Sequence, residues 1–185
     1  MILNLFAVGD VVGEQGVEFL CRHLRSLQKL HDIHFTVVNG ENASGLGILP
    51  RQAKDIYDAG ADVVTLGNHT WNRIQIRNIM DESPWLLRPA NFSSRVPGRG
   101  IGVYEGPRGL RIGVLSLIGR TEMDPNPDNP FTTADRLLRH HDADIWAVDF
   151  HAEATSEKGA MGWYLDGRAA GVWGTQTHMP TADCQ

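Results

Sequence analysis

The residues best suited to chemistry stand where apolar runs stop. Residues 63–66 form a short β-rich run, and Gly67-Asn68-His69 follows at once. Residues 2–8 end in Gly9-Asp10, and residues 35–38 end in Asn39-Gly40-Glu41-Asn42. Farther along, residues 145–150 deliver His151, and residues 169–174 lead into Thr175-Gln176-Thr177-His178. Open α/β sheets place ligands at the carboxyl ends of their strands. Carboxylates mixed with imidazoles and an amide suit a borderline divalent ion such as iron, manganese or zinc. Singly, each residue has an ordinary explanation: Asp10 as a turn or helix cap, Glu41 as a solvated carboxylate, Asn42 as a turn former. Five strand ends in succession, each carrying an acid, an amide or an imidazole, mark one edge of a sheet as a site.

The elements that must carry these residues follow from periodicity. After the first strand, Val17, Leu20, Cys21, Leu24, Leu27 and Leu30 recur at helical spacing over residues 14–30, with Arg22, Arg25 and Lys29 on the other face. Pro50 opens a second helix running to Gly60. The order β-α-β-α-β predicts parallel strands joined by right-handed crossovers. A helix over residues 73–80 and an extended segment at 85–87 come next. Residues 101–104 and 111–118, around Gly106-Pro107-Arg108-Gly109, read as a β-hairpin that turns the sheet partly antiparallel. The proline-rich, acidic stretch 119–130 is too long and irregular for a simple turn. Helices over 132–141 and 156–165 flank the strand at 145–150. Gly9, Gly13 and Gly16 do not have the dinucleotide-binding spacing. No repeat or linker interrupts the chain, so residues 1–185 read as a single domain.

Composition narrows the function classes. The chain has 185 residues, 42% of them hydrophobic, and a formal net charge of −5, which provides no basic footprint for long nucleic acid. No apolar run is long enough to span a bilayer, and residues 1–4 enter a strand without a basic leader. A cytoplasmic, reduced setting is the expectation, with Cys21 as a small core residue and Cys184 the other cysteine. His23, His31, His34, His140 and His141 lie in or beside helices and read as solvated surface, and the five tryptophans as packing. Arg120 is within reach of a phosphate from the irregular loop but reads first as surface, and Glu153 is placed to orient a ligand histidine.

Several blocks together resemble a known family. They are Gly9-Asp10-Val11-Val12-Gly13, Asn39-Gly40-Glu41-Asn42-Ala43, Gly67-Asn68-His69-Thr70-Trp71, Arg88-Pro89-Ala90-Asn91-Phe92, the run from Asp149 to Lys158, and the run from Gly162 to Arg168. In this order they resemble the calcineurin-like metallophosphoesterases, specifically the YmdB-like branch of 2′,3′-cyclic-nucleotide 2′-phosphodiesterases. The resemblance implies an α/β fold of layered αββα architecture with mixed sheets and a site of two divalent ions, iron or manganese first and zinc as a further choice. It implies that Asp10, Asn42 and His178 hold one ion, that Asn68, His151 and position 176 hold the other, and that Glu41 bridges them. Two such ions clamp a phosphate and turn a bridging water or hydroxide into a nucleophile toward phosphorus. The resemblance places His69 as the acid that protonates the leaving ribose oxygen, work valued at roughly 10²–10⁴ in rate. The implied partner is a small cyclic nucleotide or other phosphodiester, with no long nucleic acid, no membrane and room for a homo-oligomer.

Two departures qualify that expectation. The family carries histidine where this chain has Gln176, a neutral and poorer ligand, so the second ion should bind less tightly. Family members also continue beyond the point where this chain stops, at Gln185, which leaves a sheet edge expected to be uncovered. Both departures keep open a second reading, a catalytically weakened metal- or nucleotide-binding module.

Overall fold

The computed structural model describes residues 2–179 and 181, so Cys184 lies outside the described residues. Two four-stranded sheets pack face to face. The first has the order β1 (Leu5–Val8), β2 (Phe35–Asn39), β3 (Val63–Thr65) and β4 (Leu86–Leu87), all parallel. The second has the order β5 (Ile101–Glu105), β6 (Arg111–Ile118), β7 (Ile145–His151) and β8 (Gly171–Thr175). Only β5 runs antiparallel to its neighbour, so the mixing of strand directions is confined to the second sheet. The reason is local. β5 and β6 are joined by a tight turn over residues 106–110, closed by Gly106 N–H donating to the Leu110 carbonyl at 2.7 Å, whereas β6–β7 and β7–β8 are linked by helical crossovers.

Alternation along the strands builds the layers. Val38, Val64 and Leu86 face α1 (Gly13–Leu30), α2 (Pro50–Asp58) and the short α3 (Arg77–Met80). Their neighbours Val37, Val63 and Leu87 face the opposite way and meet Ile112 and Val114 of the second sheet. On the far side Leu115, Leu117, Val148 and Phe150 meet α4 (Pro130–His140) and α5 (Thr155–Leu165). The result is the expected αββα stack, with parallel strands covered on both faces.

Several boundaries differ from the sequence reading, each for a physical reason. β1 begins at Leu5 rather than residue 2 and is half-buried throughout, because it is an edge strand paired only to β2 among the described residues. α4 starts at Pro130 because Asn129 Oδ1 accepts from Phe131 N–H at 2.9 Å, a cap hidden in the proline-rich stretch. The helix expected over 73–80 opens as a 3₁₀ turn at Ile74–Ile76. His34 is half-buried rather than solvated, its Nδ1 accepting from Asn4 N–H at 3.1 Å. Cys21 is half-buried, its thiol donating to the Asp55 carbonyl at 3.5 Å. The irregular stretch is held down: Asn91 Nδ2 donates to the Asp128 carbonyl at 2.9 Å, and Glu157 accepts the Arg120 and Thr121 N–H groups.

Candidate metal centre

The carboxyl edges of both sheets lie side by side, and all the strand-end residues fall there. Asp10 follows β1, Glu41 and Asn42 follow β2, and Asn68 and His69 follow β3. His151 ends β7, and Gln176 and His178 follow β8. Main-chain bonds lash the first two loops together: Val11 N–H donates to the Asn39 carbonyl and Gly13 N–H to the Asn42 carbonyl, each at 2.9 Å. Asn39 Oδ1 accepts Glu41 N–H at 3.2 Å and so aims the turn that carries Glu41. Gly67 sits beneath them. A Cβ there would collide with Glu41 Oε2 and the His151 ring, so the strand end can pass this close only as glycine.

Two groups of donors result. In the buried group, His151 Nε2 lies 2.8 Å from Glu41 Oε1 and 3.1 Å from Asn68 Oδ1. In the outer group, His178 Nε2 lies 2.8 Å from Asp10 Oδ2 and 3.2 Å from Asn42 Nδ2. Asp10 joins the two, with Oδ1 at 3.9 Å from His151 Nδ1. Asp10, Glu41 and His151 each offer one donor atom within 4.8 Å of the others. Asp10 Oδ1 is buried and accepts no hydrogen bond from the described residues, which is costly for a carboxylate oxygen unless a cation or water satisfies it. Carboxylate, imidazole and amide oxygens converging on such an orphan fit a divalent ion.

His69 stands at the rim. Its N–H donates to Glu41 Oε2 at 3.0 Å, its Nδ1 lies 3.4 Å from Glu41 Oε1, and its Nε2 lies 3.4 Å from Asn68 Nδ2. Nδ1 is buried and makes no hydrogen bond. Position 176 is held by two bonds. Gln176 N–H donates to Asp10 Oδ2 at 3.0 Å, and its side-chain amide donates to Glu153 Oε2 at 3.2 Å. Its φ of 95° is left-handed, and His178 follows at 41°, geometry that costs about 1–3 kcal/mol at a residue other than glycine. Glu153 thus bonds Gln176 rather than a histidine. Arg120 is exposed, its Nε donating to Asn126 Oδ1 at 3.1 Å, and no ion pair ties it to the cluster among the described residues.

Charge is concentrated and dry. Burial pushes the Glu41 carboxyl up, but the hydrogen bond and charge of His151, with hydrogen bonding from His69, outweigh it and hold the group at about 2. Burial raises Asp10, with Glu41 and Asp149 adding to the effect. Desolvation lowers His151, yet the Glu41 hydrogen bond and the surrounding carboxylates leave it raised overall.

Beneath the cluster lies a second polar layer that sequence reasoning missed. Asp149 is fully buried on β7, and its carboxylate accepts from Thr65 at 2.5 Å, Thr175 at 2.7 Å and Asn39 at 3.1 Å. An aspartate inside the apolar run W-A-V-D-F was the available signal. Arg88 was missed likewise: it is buried and donates to the carbonyls of Pro89 and Pro97, each at 2.9 Å.

Comparison with known proteins now bears on this geometry. A family model described as YmdB-like protein matches residues 6–185. The chain belongs to the YmdB-like family. It is 43% identical over 184 residues to a Bacillus subtilis protein named 2′,3′-cyclic-nucleotide 2′-phosphodiesterase, covering 98% of this chain and 69% of that relative. Among solved structures, a Thermus thermophilus protein described as hypothetical superposes with a TM-score of 0.90 at 39% identity, covering 98% of this chain and 70% of that one. A Mycoplasma pneumoniae structure titled a novel phosphatase also gives 0.90, at 31% identity, with 98% and 66% covered. These two solved structures share the layered fold across nearly all of this chain, which spans about two thirds of the length of the proteins it matches.

Proposed function

We propose that this chain is a metal-dependent hydrolase of small phosphodiesters, with 2′,3′-cyclic nucleotides as the substrate class. One observation carries the reading: Asp10, Glu41 and His151 converge within 4.8 Å around an unsatisfied buried oxygen, in a chain 43% identical to a phosphodiesterase of that specificity. Asp10, Asn42 and His178 would hold one ion, Asn68 and His151 the other, and Glu41 both. Iron or manganese suits the mixed donors, with zinc a third choice. When bound, the ions supply charge neutralisation of the phosphate and activation of water near neutral pH. The remaining work falls to the chain. Glu41, held as a carboxylate, fixes the His69 main chain through its N–H. His69 carries the proton to the departing ribose oxygen. Gly67 keeps the floor of the site close, and the walls of β2, β3 and β7 keep bulk water from beneath it.

A second reading, a metal- or nucleotide-binding module with weak turnover, is favoured by one feature: position 176 carries a glutamine, a neutral and poorer ligand than an imidazole, whose Nε2 donates to Glu153. Metal analysis and hydrolysis of 2′,3′-cyclic AMP by Mn²⁺- or Fe²⁺-loaded protein separate the two. Two ions with turnover support the hydrolase, and one ion without turnover supports the module. Gln176→His beside the parent chain tests the ligand set. Unchanged metal content and rate would remove position 176 from it.

A further inference from the structure

The run from Asp149 to Lys158 ends on a residue that the metal centre does not use. Lys158 lies four residues into α5, half-buried, and its stem crosses the edge strand β8 where Gly174 leaves room for it. A Cβ at position 174 would collide with Cδ, Cε and Cγ of the lysine. The ammonium then donates to Thr177 Oγ1 at 3.0 Å. The base of this reach is fixed, because the preceding residue, Glu157, accepts the Arg120 and Thr121 N–H groups of the loop after β6. Thr177 stands between Gln176 and His178, the two residues whose left-handed backbones make the turn after β8. Such backbone persists where its surroundings over-determine it. Those surroundings include Ala152 N–H donating to the Thr175 carbonyl at 3.4 Å, Gln176 N–H donating to Asp10 Oδ2 at 3.0 Å, and the Lys158 ammonium.

We infer that Lys158 is a positioning residue for the outer donor group: through Thr177 it holds the main chain that delivers His178 to Asp10 and Asn42. A hydrogen bond from a charged donor is roughly twice as strong as a neutral one, and this one ties a packed helix to an otherwise open turn. The exposed ring of His178 is left for the ion to order. Charge makes the inference distinctive. A cation near a metal centre repels the ions, so by charge alone its removal would tighten metal binding. A positioning role requires the reverse. The inference rests on the metal-dependent reading for its purpose, and on the bonds of the turn for its geometry.

Two substitutions test it from either end of the bond. Lys158→Met keeps the stem and removes the donor, and Thr177→Val keeps the shape and removes the acceptor. In metal-free protein, amide hydrogen exchange at Gln176 should quicken about tenfold in either variant. His69 N–H, which donates to Glu41, should exchange as before and is the control. The double variant should be no faster than either single one, and Thr177→Ser should behave as the parent chain. Zn²⁺ titration followed at the histidine ring signals should show binding at His178 weakened on the order of 10–100-fold, with binding at His151 unaltered. Unaltered exchange at Gln176, additive effects in the double variant, or Zn²⁺ held equally or more tightly at His178 would each overturn the inference. So would equal quickening at Gln176 and His69, which marks general loosening. Should Lys158→Met fail to fold, Thr177→Val and Thr177→Ser provide the same readouts. If exchange responds as expected but the parent chain binds no Zn²⁺ at either histidine, Lys158 still positions the turn and the metal-dependent reading falls.

Discussion

The two donor groups of the site are built on different foundations. His151 is the last residue of a central strand, fully buried, and rests through Thr175 on Asp149. His178 lies three residues past the end of edge strand β8, with 45% of its side chain exposed and a left-handed backbone. Both imidazoles meet a carboxylate at 2.8 Å, so distance alone does not separate them. Support does. A donor held by neighbours on every side keeps its geometry when a ligand leaves, whereas an exposed one must be ordered by the ligand it binds, at a cost in entropy. On the proposed metal-dependent reading, the buried group would be the permanent half of the centre and the outer group the half that metal binding completes.

Substitution can break that contrast. His151→Ala should remove metal from the buried group, abolish phosphodiester turnover and lower stability by about 1–3 kcal/mol, because Glu41 and Asp10 lose a buried partner. His178→Ala should weaken metal binding while leaving the melting temperature within error. Calorimetric melts and metal titration of the pair check this, and equal loss of stability in both would erase the distinction. His69→Gln should lower turnover by roughly 10²–10⁴ with metal content unchanged, separating proton transfer from ligation. Parallel loss of metal would instead make His69 a ligand. Gly67→Ala forces a methyl group against Glu41 and His151, and should cost about 1–3 kcal/mol in denaturant unfolding while lowering affinity at the buried group. The smallest effect should come from Lys54→Ala, which removes an exposed ion pair to Asp58 four residues on. Melting temperature and turnover indistinguishable from the parent chain are expected, and a measurable change in either would show the surface coupled to the site.

The contrast also explains what could be read in the sequence. Asp10, Glu41, Asn68 and His151 were visible because polar residues at the carboxyl ends of apolar runs stand out against β periodicity. The layers were expected from the family resemblance rather than from periodicity, and the structure supplies their basis: in pairs such as Val37–Val38 and Val63–Val64, one residue faces each side. Thr65 and Thr175 were not legible. Threonine is an ordinary strand residue, and nothing local says that two of them, 110 positions apart, share one carboxylate. Asp149 sat in view as an acid in an apolar strand, but its donors come from three other strands, a relation only the packed sheets create. Gln176 was noticed by type, whereas its turn toward Glu153 depends on a backbone angle that sequence does not state.

The bonds from Asn39 and Thr65 to Asp149 join one sheet to the other. Layers packed through methyl groups alone can slide past each other with little resistance, since apolar contact has no preferred partner. Sliding here would strip a fully buried carboxylate of two donors. The two sheets are therefore dowelled just under the site, where Asn39 and Thr65 both reach Asp149, and resist shear most strongly there. Breathing motions of the sandwich should open at its far end, around Leu3, Leu5 and Leu110, before they disturb the distance between Glu41 and His151.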